Sequence, residues 1–340
     1  MAVRKRAPQT VAQKVRSAEK KAERAFTVMW DELPLWQQDN HYILSGYRPE
    51  FLSFKKCFIS LGYLHNETGT SLTLPHPPPN SSSSSSSPLL LLLPSPPRTQ
   101  LTSPVNIYSH LLPALSIPYV ALLFYTLYNP PSTANLLAFS TFLLSAAACL
   151  GMSATYHTIS CHSHAIAKLG NKLDYLGIVI LIMGSFIPSV YYGFYCDPTL
   201  MRVYWSMITL LGLGCATVST VPSFRTSAWR PFRAAMFVAM GGSSVVPVLH
   251  GLRLYGWADL EVRMGLSWML AEGALYVTGA GLYAARVPEK WAPGRFDIWG
   301  SSHQIFHFLV VAAAACHLVG LVKSANYLEG KMVEGLCVGM

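Results

Sequence analysis

From residue 106 onward, long apolar stretches alternate with short polar breaks. Seven such stretches are readable, near 106–128, 134–156, 173–194, 201–220, 232–252, 265–285 and 301–322. Each approaches the ~20 residues a helix needs to cross ~30 Å of hydrocarbon. Turn residues fill the breaks, as at Asn129-Pro130-Pro131, Cys196-Asp197-Pro198 and Pro222-Ser223. Tyr191, Tyr192, Trp205, Trp229, Trp291 and Trp299 gather toward the ends of the stretches, where aromatic rings sit at a membrane interface. The pattern predicts an all-α integral membrane protein: a seven-transmembrane helix bundle over 106–322, then a short extracytoplasmic tail over 323–340.

Ahead of the bundle the pattern changes. Residues 9–30 are rich in Ala, Lys, Arg and Glu and predict a short polar helix. The stretch 48–64 mixes Phe, Leu and Ile with Arg48, Lys55 and Lys56, which suits a helix lying in the membrane interface. A solvated helix packed on the bundle is the plain alternative. Residues 70–105 contain seven Ser (81–87), five Leu (89–93) and many Pro. Such a composition packs no core, and the Leu run is too short to span a bilayer. Residues 1–69 therefore read as an amino-terminal region and 70–105 as an insertion.

Composition supports the membrane reading. Of the 340 residues 51% are hydrophobic and 12% charged, against about 25% charged in soluble domains. The net charge of +9 is no sign of nucleic-acid binding, because the basic residues sit in a tail and in loops. Residues 1–56 hold eleven of the 25 Lys and Arg. Loops on the same side add Lys168, Lys172, Arg225, Arg230, Arg233, Arg286, Lys290 and Arg295, whereas the other side has Arg202, Arg253, Arg263, Lys323 and Lys331. The positive-inside rule puts the amino terminus in the cytoplasm. The sequons at Asn66 and Asn80 then face the cytosol and should stay bare. Residues 1–24 lack the apolar core of a signal peptide, so the first span is expected to direct insertion. The seven cysteines show no CxxC pair, and free buried thiols are expected rather than a disulfide framework.

Candidate chemistry concentrates at one depth. His303 and His307 are four residues apart at the start of span seven, on one face and ~6 Å apart along a helix axis. Ser153 and His157 are also four apart, near the end of span two, and Asp174 begins span three. By the topology above, all these positions lie on the cytoplasmic side. Polar and ionisable groups at bilayer depth are costly and mark function. Three histidines with one open position form the donor set of a zinc site, and Asp174 and Ser153 could serve a metal-bound water. The alternative is a polar cluster that only locks helices. Glu272, mid-span, must be protonated or hydrogen-bonded. His317 and His250 read as packed core or interface residues, and His162 and His164 as exposed loop residues. His41, His65, His76 and His110 lack partners at ligand spacing. The last span has no Lys before Lys323, which argues against a retinal Schiff base. No Asp-Arg-Tyr follows span three, and span seven lacks NPxxY, so seven helices do not make this a G-protein-coupled receptor.

Several longer motifs carry a resemblance. They are Glu32-Leu33-Pro34 with Trp36, Asp39-Asn40, Ile43-Leu44-Ser45-Gly46-Tyr47-Arg48 and His65-Asn66-Glu67-Thr68-Gly69. Ser153-x3-His157-x3-Cys161-His162-Ser163, Lys172-Leu173-Asp174-Tyr175-x-Gly177-Ile178 and Ser302-His303-Gln304-Ile305-Phe306-His307 complete the set. Over residues 30–322 the chain resembles the progestin and adipoQ receptor family, related to haemolysin III, and most of all its adiponectin receptor-like branch with fungal members. The resemblance implies a cytoplasmic amino terminus, zinc bound by His157, His303 and His307, and catalytic assistance from Asp174 and Ser153. It implies a ceramide-like or sterol-like membrane lipid as substrate or ligand, an extracellular protein ligand, and residence in the plasma membrane or endoplasmic reticulum. Family members are described as receptors and as hydrolases of ceramide-like lipid amides, and fungal ones are tied to lipid and zinc homeostasis. A zinc-dependent lipid amidohydrolase is thus the leading expectation, a non-catalytic receptor with structural zinc the second, and a pore or zinc transporter the last. One departure stands out. The 36 residues 70–105 separate Gly69 from Asn106-Ile107-Tyr108-Ser109-His110, which are nearly contiguous in the family, and a retained intron is the favoured source.

Overall fold

The computed structural model describes residues 26–63, 65–66, 105–127, 132–225 and 229–334. Among them every regular element is helical, apart from an isolated pairing of Val28 with Tyr47. A short helix α1 (Phe54–Ile59) precedes α2 (Val105–Leu127), α3 (Thr133–Ile159), α4 (His164–Gly193) and α5 (Pro198–Thr220). Then follow α6 (Arg230–Gly242), α7 (Val245–Met264), α8 (Leu266–Ala285) and α9 (Ser302–Glu334). Helix starts follow local chemistry. Asp197 Oδ1 accepts from Thr199 N (3.1 Å) and Leu200 N (3.0 Å) ahead of α5, and Pro198 occupies a first-turn position that needs no N–H donor. Ser132 caps α3 by accepting from Asn135 N at 3.2 Å.

Six helical stretches are long and apolar enough to cross a membrane: α2, α3, α4, α5, α9 and a composite, Ala235–Met264, that runs from α6 into α7. Their outer faces carry large apolar side chains such as Leu144 (69% exposed) and Val238 (75%). Only a hydrocarbon solvent makes that exposure cheap. The expected all-α membrane bundle is therefore present. The stretch expected as span six forms α8, whose 20 residues include Glu272 and three glycines that dilute its apolar character.

Four details depart from the sequence expectation. The stretch 232–252 is not one helix, because α6 and α7 are separated at Ser243 and Ser244, just after Gly241-Gly242. The last helix continues beyond 322 to Glu334; Lys323 stays helical by pairing with Glu261 of α7 at 2.5 Å. The interfacial helix is shorter than expected, confined to α1 and a 3-10 turn, Ser60–Gly62. Cys196, expected as a free thiol, is disulfide-bonded. The polar helix expected over 9–30 and the insertion over 70–105 lie almost wholly outside the described residues, as does Asn80.

Sequence neighbours pack side by side from α2 to α6, and α9 closes the bundle by touching α8, α7, α2, α4 and α3. One core cluster joins α2, α3, α4 and α9 through Phe124, Phe139, Leu181 and Leu321. A second joins α4, α5 and α6 through Val190, Ile208 and Met240. The α3–α4 contact is tight because glycine faces it. A Cβ on Gly184 would lie 2.0 Å from Ser145 Oγ, and one on Gly177 would lie 2.9 Å from Cys149 Cα. Without hydrophobic drive between helices in lipid, such small residues permit the close packing that holds them together. That contact fixes the end of α3, where His157 sits.

Candidate metal centre

Two helix ends meet at the site, and the amino-terminal segment holds both. At the end of α3 the buried Arg48 donates from Nη2 to His157 O (2.5 Å) and from Nη1 to Thr158 O (3.0 Å) and Ser60 Oγ (3.0 Å). A cation at a helix C-terminus satisfies carbonyls that lack helical partners and complements the dipole. The chain then follows the next turn, with Phe51 N and Leu52 N donating to Cys161 O and His162 O, each at 2.9 Å. At the start of α9 the fully buried Glu289 accepts from Ser302 N (2.8 Å) and Ser302 Oγ (2.5 Å), and from Asn40 Nδ2 (3.1 Å). Asp297 accepts from Leu44 N (2.9 Å) and Ser45 Oγ (2.6 Å). Gly46, at φ +81°, lets the chain pass under Ile298, whose Cδ1 would be 2.5 Å from an added Cβ. The Ser45-Gly46-Tyr47-Arg48 stretch is thus a bracket between α3 and the α8–α9 loop.

Within this bracket the side chains of His157, His303 and His307 converge. One nitrogen from each lies within 4.8 Å of the others. His157 Nε2 and His303 Nε2 are 3.2 Å apart, close to the ~3.3 Å between two nitrogens held at 2.0–2.1 Å by one tetrahedral ion. His157 and His307 are buried and His303 is half-buried. Ser109 Oγ lies 3.2 Å from His307 Nδ1, which leaves Nε2 of that ring for a metal, the usual division of labour in an imidazole ligand. The donor set and its support fit a divalent ion bound by three imidazoles.

The other expected residues are placed less directly. Ser153 is buried on α3, one turn before His157. Asp174 is half-buried on α4 and lies outside the converging donor group. It is within electrostatic reach of Cys149 and Tyr283, and the Tyr283 ring is 5.2 Å from that of His303. Glu272 is hydrogen-bonded, as its position required: its Oε2 is 2.8 Å from Nδ1 of the buried His317. His250 Nδ1 is 2.5 Å from Tyr204 Oη. His164 stacks on Trp36 and His162 packs against Phe54, while His76 lies outside the described residues.

His110 stays outside the converging donor group, as expected, but has a ring partner that its spacing does not show. It is buried and its ring lies parallel to that of His307, with centroids 3.8 Å apart and planes 6° apart. Spacing within one helix could not reveal it, but depth could. The start of the first span belongs to the same side of the bundle as His157 and His303, and His110 is one turn into it. Arg48, Ser109 and Glu289 were also missed as supports of the ligands. Nearby, Cys57 Sγ and Cys161 Sγ are 3.5 Å apart. Burial, opposed by Arg48, pushes the Cys161 thiol up to about 12, so Cys161 is a thiol and not a thiolate at neutral pH. An apolar crevice of about 150 Å³ opens beside α3, between Phe58, Leu61, Leu111, Ala154 and Ile159.

Comparison with known proteins adds a family. The profile described as Haemolysin-III related matches residues 99–318. The chain is 41% identical over 316 residues to the ADIPOR-like receptor IZH2 of Saccharomyces cerevisiae, covering 90% of this chain and 86% of the yeast protein. It is 40% identical over 302 residues to the adiponectin receptor protein of Drosophila melanogaster, covering 88% of this chain and 59% of the fly protein. Heptahelical transmembrane protein 4 of Arabidopsis thaliana is 44% identical over 198 residues, 58% of this chain and 50% of the plant protein. The chain therefore spans most of the yeast relative but only about three-fifths of the fly one.

Proposed function

We propose, from the premise that this chain belongs to the haemolysin III-related family and is adiponectin receptor-like, that it is a zinc-dependent hydrolase of ceramide-like lipid amides. The observation that carries this reading is the convergence of three imidazoles from α3 and α9, with one nitrogen of each within 4.8 Å of the others. Zinc bound there supplies a Lewis acid at neutral pH. His157, His303 and His307 would hold it, with Ser109 fixing the tautomer of His307 and Arg48 fixing the last turn of α3. Asp174 is assigned the proton taken from the attacking water, and Ser153 a hydrogen bond that orients that water. The apolar crevice beside α3 offers an acyl chain a route from the bilayer toward His157.

The topology that goes with this reading has seven spans, α6 and α7 together forming the fifth and α8 the sixth, with the amino terminus in the cytoplasm. The Lys and Arg distribution supports it. So does the disulfide at Cys196, which follows α4 at the end of the bundle away from the histidines; disulfides persist in oxidising compartments. The name of the plant relative describes that protein as heptahelical. Glycan on Asn66 would overturn the orientation.

Two measurements test the function. Elemental analysis of the purified protein should find about one zinc per chain, and a triple His→Ala variant at 157, 303 and 307 should contain none. Labelled ceramide should be turned over by the wild type and not by His303→Ala; equal turnover removes catalysis from this site. A second reading, zinc as a staple only, is favoured by the direct contact of His157 with His303 across two helices. It expects metal removal to lower thermal stability while no lipid product ever forms.

A further inference from the structure

Beside the histidines, at the same end of the bundle, lies a cleft of opposite chemistry. Trp36, Tyr156, His164, Lys168, Asn171 and Arg225 line a cavity of about 460 Å³, within the ~300–1,000 Å³ range of ligand pockets. Among the described residues no carboxylate lines it. Lys168 has no hydrogen-bond or ion-pair partner among the described residues. Among the described residues Arg225 is held by neutral acceptors, donating to Ser219 O at 3.2 Å and Asn171 Oδ1 at 3.0 Å. Arg233 lies within electrostatic reach of Arg225 and adds to the positive field. Part of the lining is flat, with the Trp36 and His164 rings stacked at 5.4 Å.

Two cations with no acidic partner among the described residues, set in one concave site, form an anion receptor, and phosphate oxygens suit Arg and Lys donors. Depth then selects the source. The chain leaves Arg225 and enters α6 through Trp229 (38% exposed) and Phe232 (46%), aromatic residues that settle at headgroup level. We infer that this cleft binds the phosphorylated headgroup of an anionic membrane lipid, with Lys168 and Arg225 contacting the phosphate. The topology proposed above decides only that the lipid comes from the cytoplasmic leaflet.

The test uses the full chain in a neutral detergent, titrated with dioctanoyl phosphatidic acid, dioctanoyl phosphatidylcholine or inorganic phosphate, with binding read by thermophoresis. Phosphatidic acid should saturate and phosphatidylcholine should not. Lys168→Glu should weaken binding about tenfold or more, as loss of a charged contact implies. Lys172→Glu, one turn along α4 and outside the cleft, should leave it unchanged. Equal weakening by both variants reduces the effect to diffuse surface charge and overturns the site. So does binding of phosphatidylcholine, or no binding at all. Inorganic phosphate bound as tightly as the lipid overturns the headgroup assignment. Metal content measured on the same samples reports folding and reads the histidine centre separately; if Lys168→Glu does not fold, Lys168→Gln replaces it.

Discussion

Replacing Arg48 tests how far the metal ligands depend on the segment before the bundle. Arg48 is 4% exposed and donates to two carbonyls at the end of α3, His157 O and Thr158 O. A hydrogen bond to a charged group contributes roughly 1.5–3 kcal/mol, so the pair amounts to about 3–6 kcal/mol at first count. Two corrections lower it. Ser160 Oγ at 3.3 Å and Cys161 Sγ at 3.8 Å remain as weaker donors to the same carbonyls, and the wild-type guanidinium carries its own burial penalty. Arg48→Met, which keeps the volume, should therefore cost about 3 kcal/mol. Arg48→Lys should cost about half, because one ammonium cannot reproduce the fork. The assay is the thermal midpoint of zinc-loaded protein in detergent together with the zinc dissociation constant, because a frayed last turn releases His157. The expected order of stability is Arg, then Lys, then Met, with zinc affinity falling in step. An Arg48→Met protein with unchanged midpoint and unchanged affinity would refute the bracket.

Ser109→Ala removes one of two partners of the His307 ring, the Asn106 backbone remaining, and should weaken metal binding about 10-fold, with the helical circular dichroism unchanged. Glu289→Gln swaps two of the acceptances at the start of α9 for weaker ones and should cost about 2 kcal/mol, read from the thermal midpoint. Cys161 should resist maleimide in the folded protein at pH 8, since a thiol titrating at about 12 is thiolate in only about one molecule in ten thousand there; rapid labelling of Cys161 would contradict its burial.

The helices and the histidine triad were legible because both signals are one-dimensional. Apolar length reports a span, and a spacing of four reports a shared face, whatever the rest of the chain does. Depth then required only the alternation of loops, which put the end of α3 and the start of α9 on one side. Depth alone would also place His110 beside the triad, but no second histidine lies one turn from it to mark a shared face. Apolar pattern is equally silent about the interruption between α6 and α7, where Ser243 and Ser244 keep right-handed helical dihedrals within one stretch of spanning length. A charge such as Lys323 ends an apolar run in the sequence; its pairing with Glu261 is a tertiary fact that lets the helix continue.

The bracket was illegible for a deeper reason. Asn40 with Glu289, and Leu44 and Ser45 with Asp297, join positions about 250 residues apart in the chain. Neither partner sits at a spacing that means anything on its own. In lipid, helices gain little from hydrophobic drive between them, so the register of α3 against α9 must come from packing and from polar contacts outside the hydrocarbon. Arg48 holds one ligand-bearing helix end and the Asn40–Ser45 stretch holds the loop before the other. A metal site built from these two helices is then only as precise as a segment that contributes no ligand to it, which is why the residues before the first span belong to the centre as much as the histidines do.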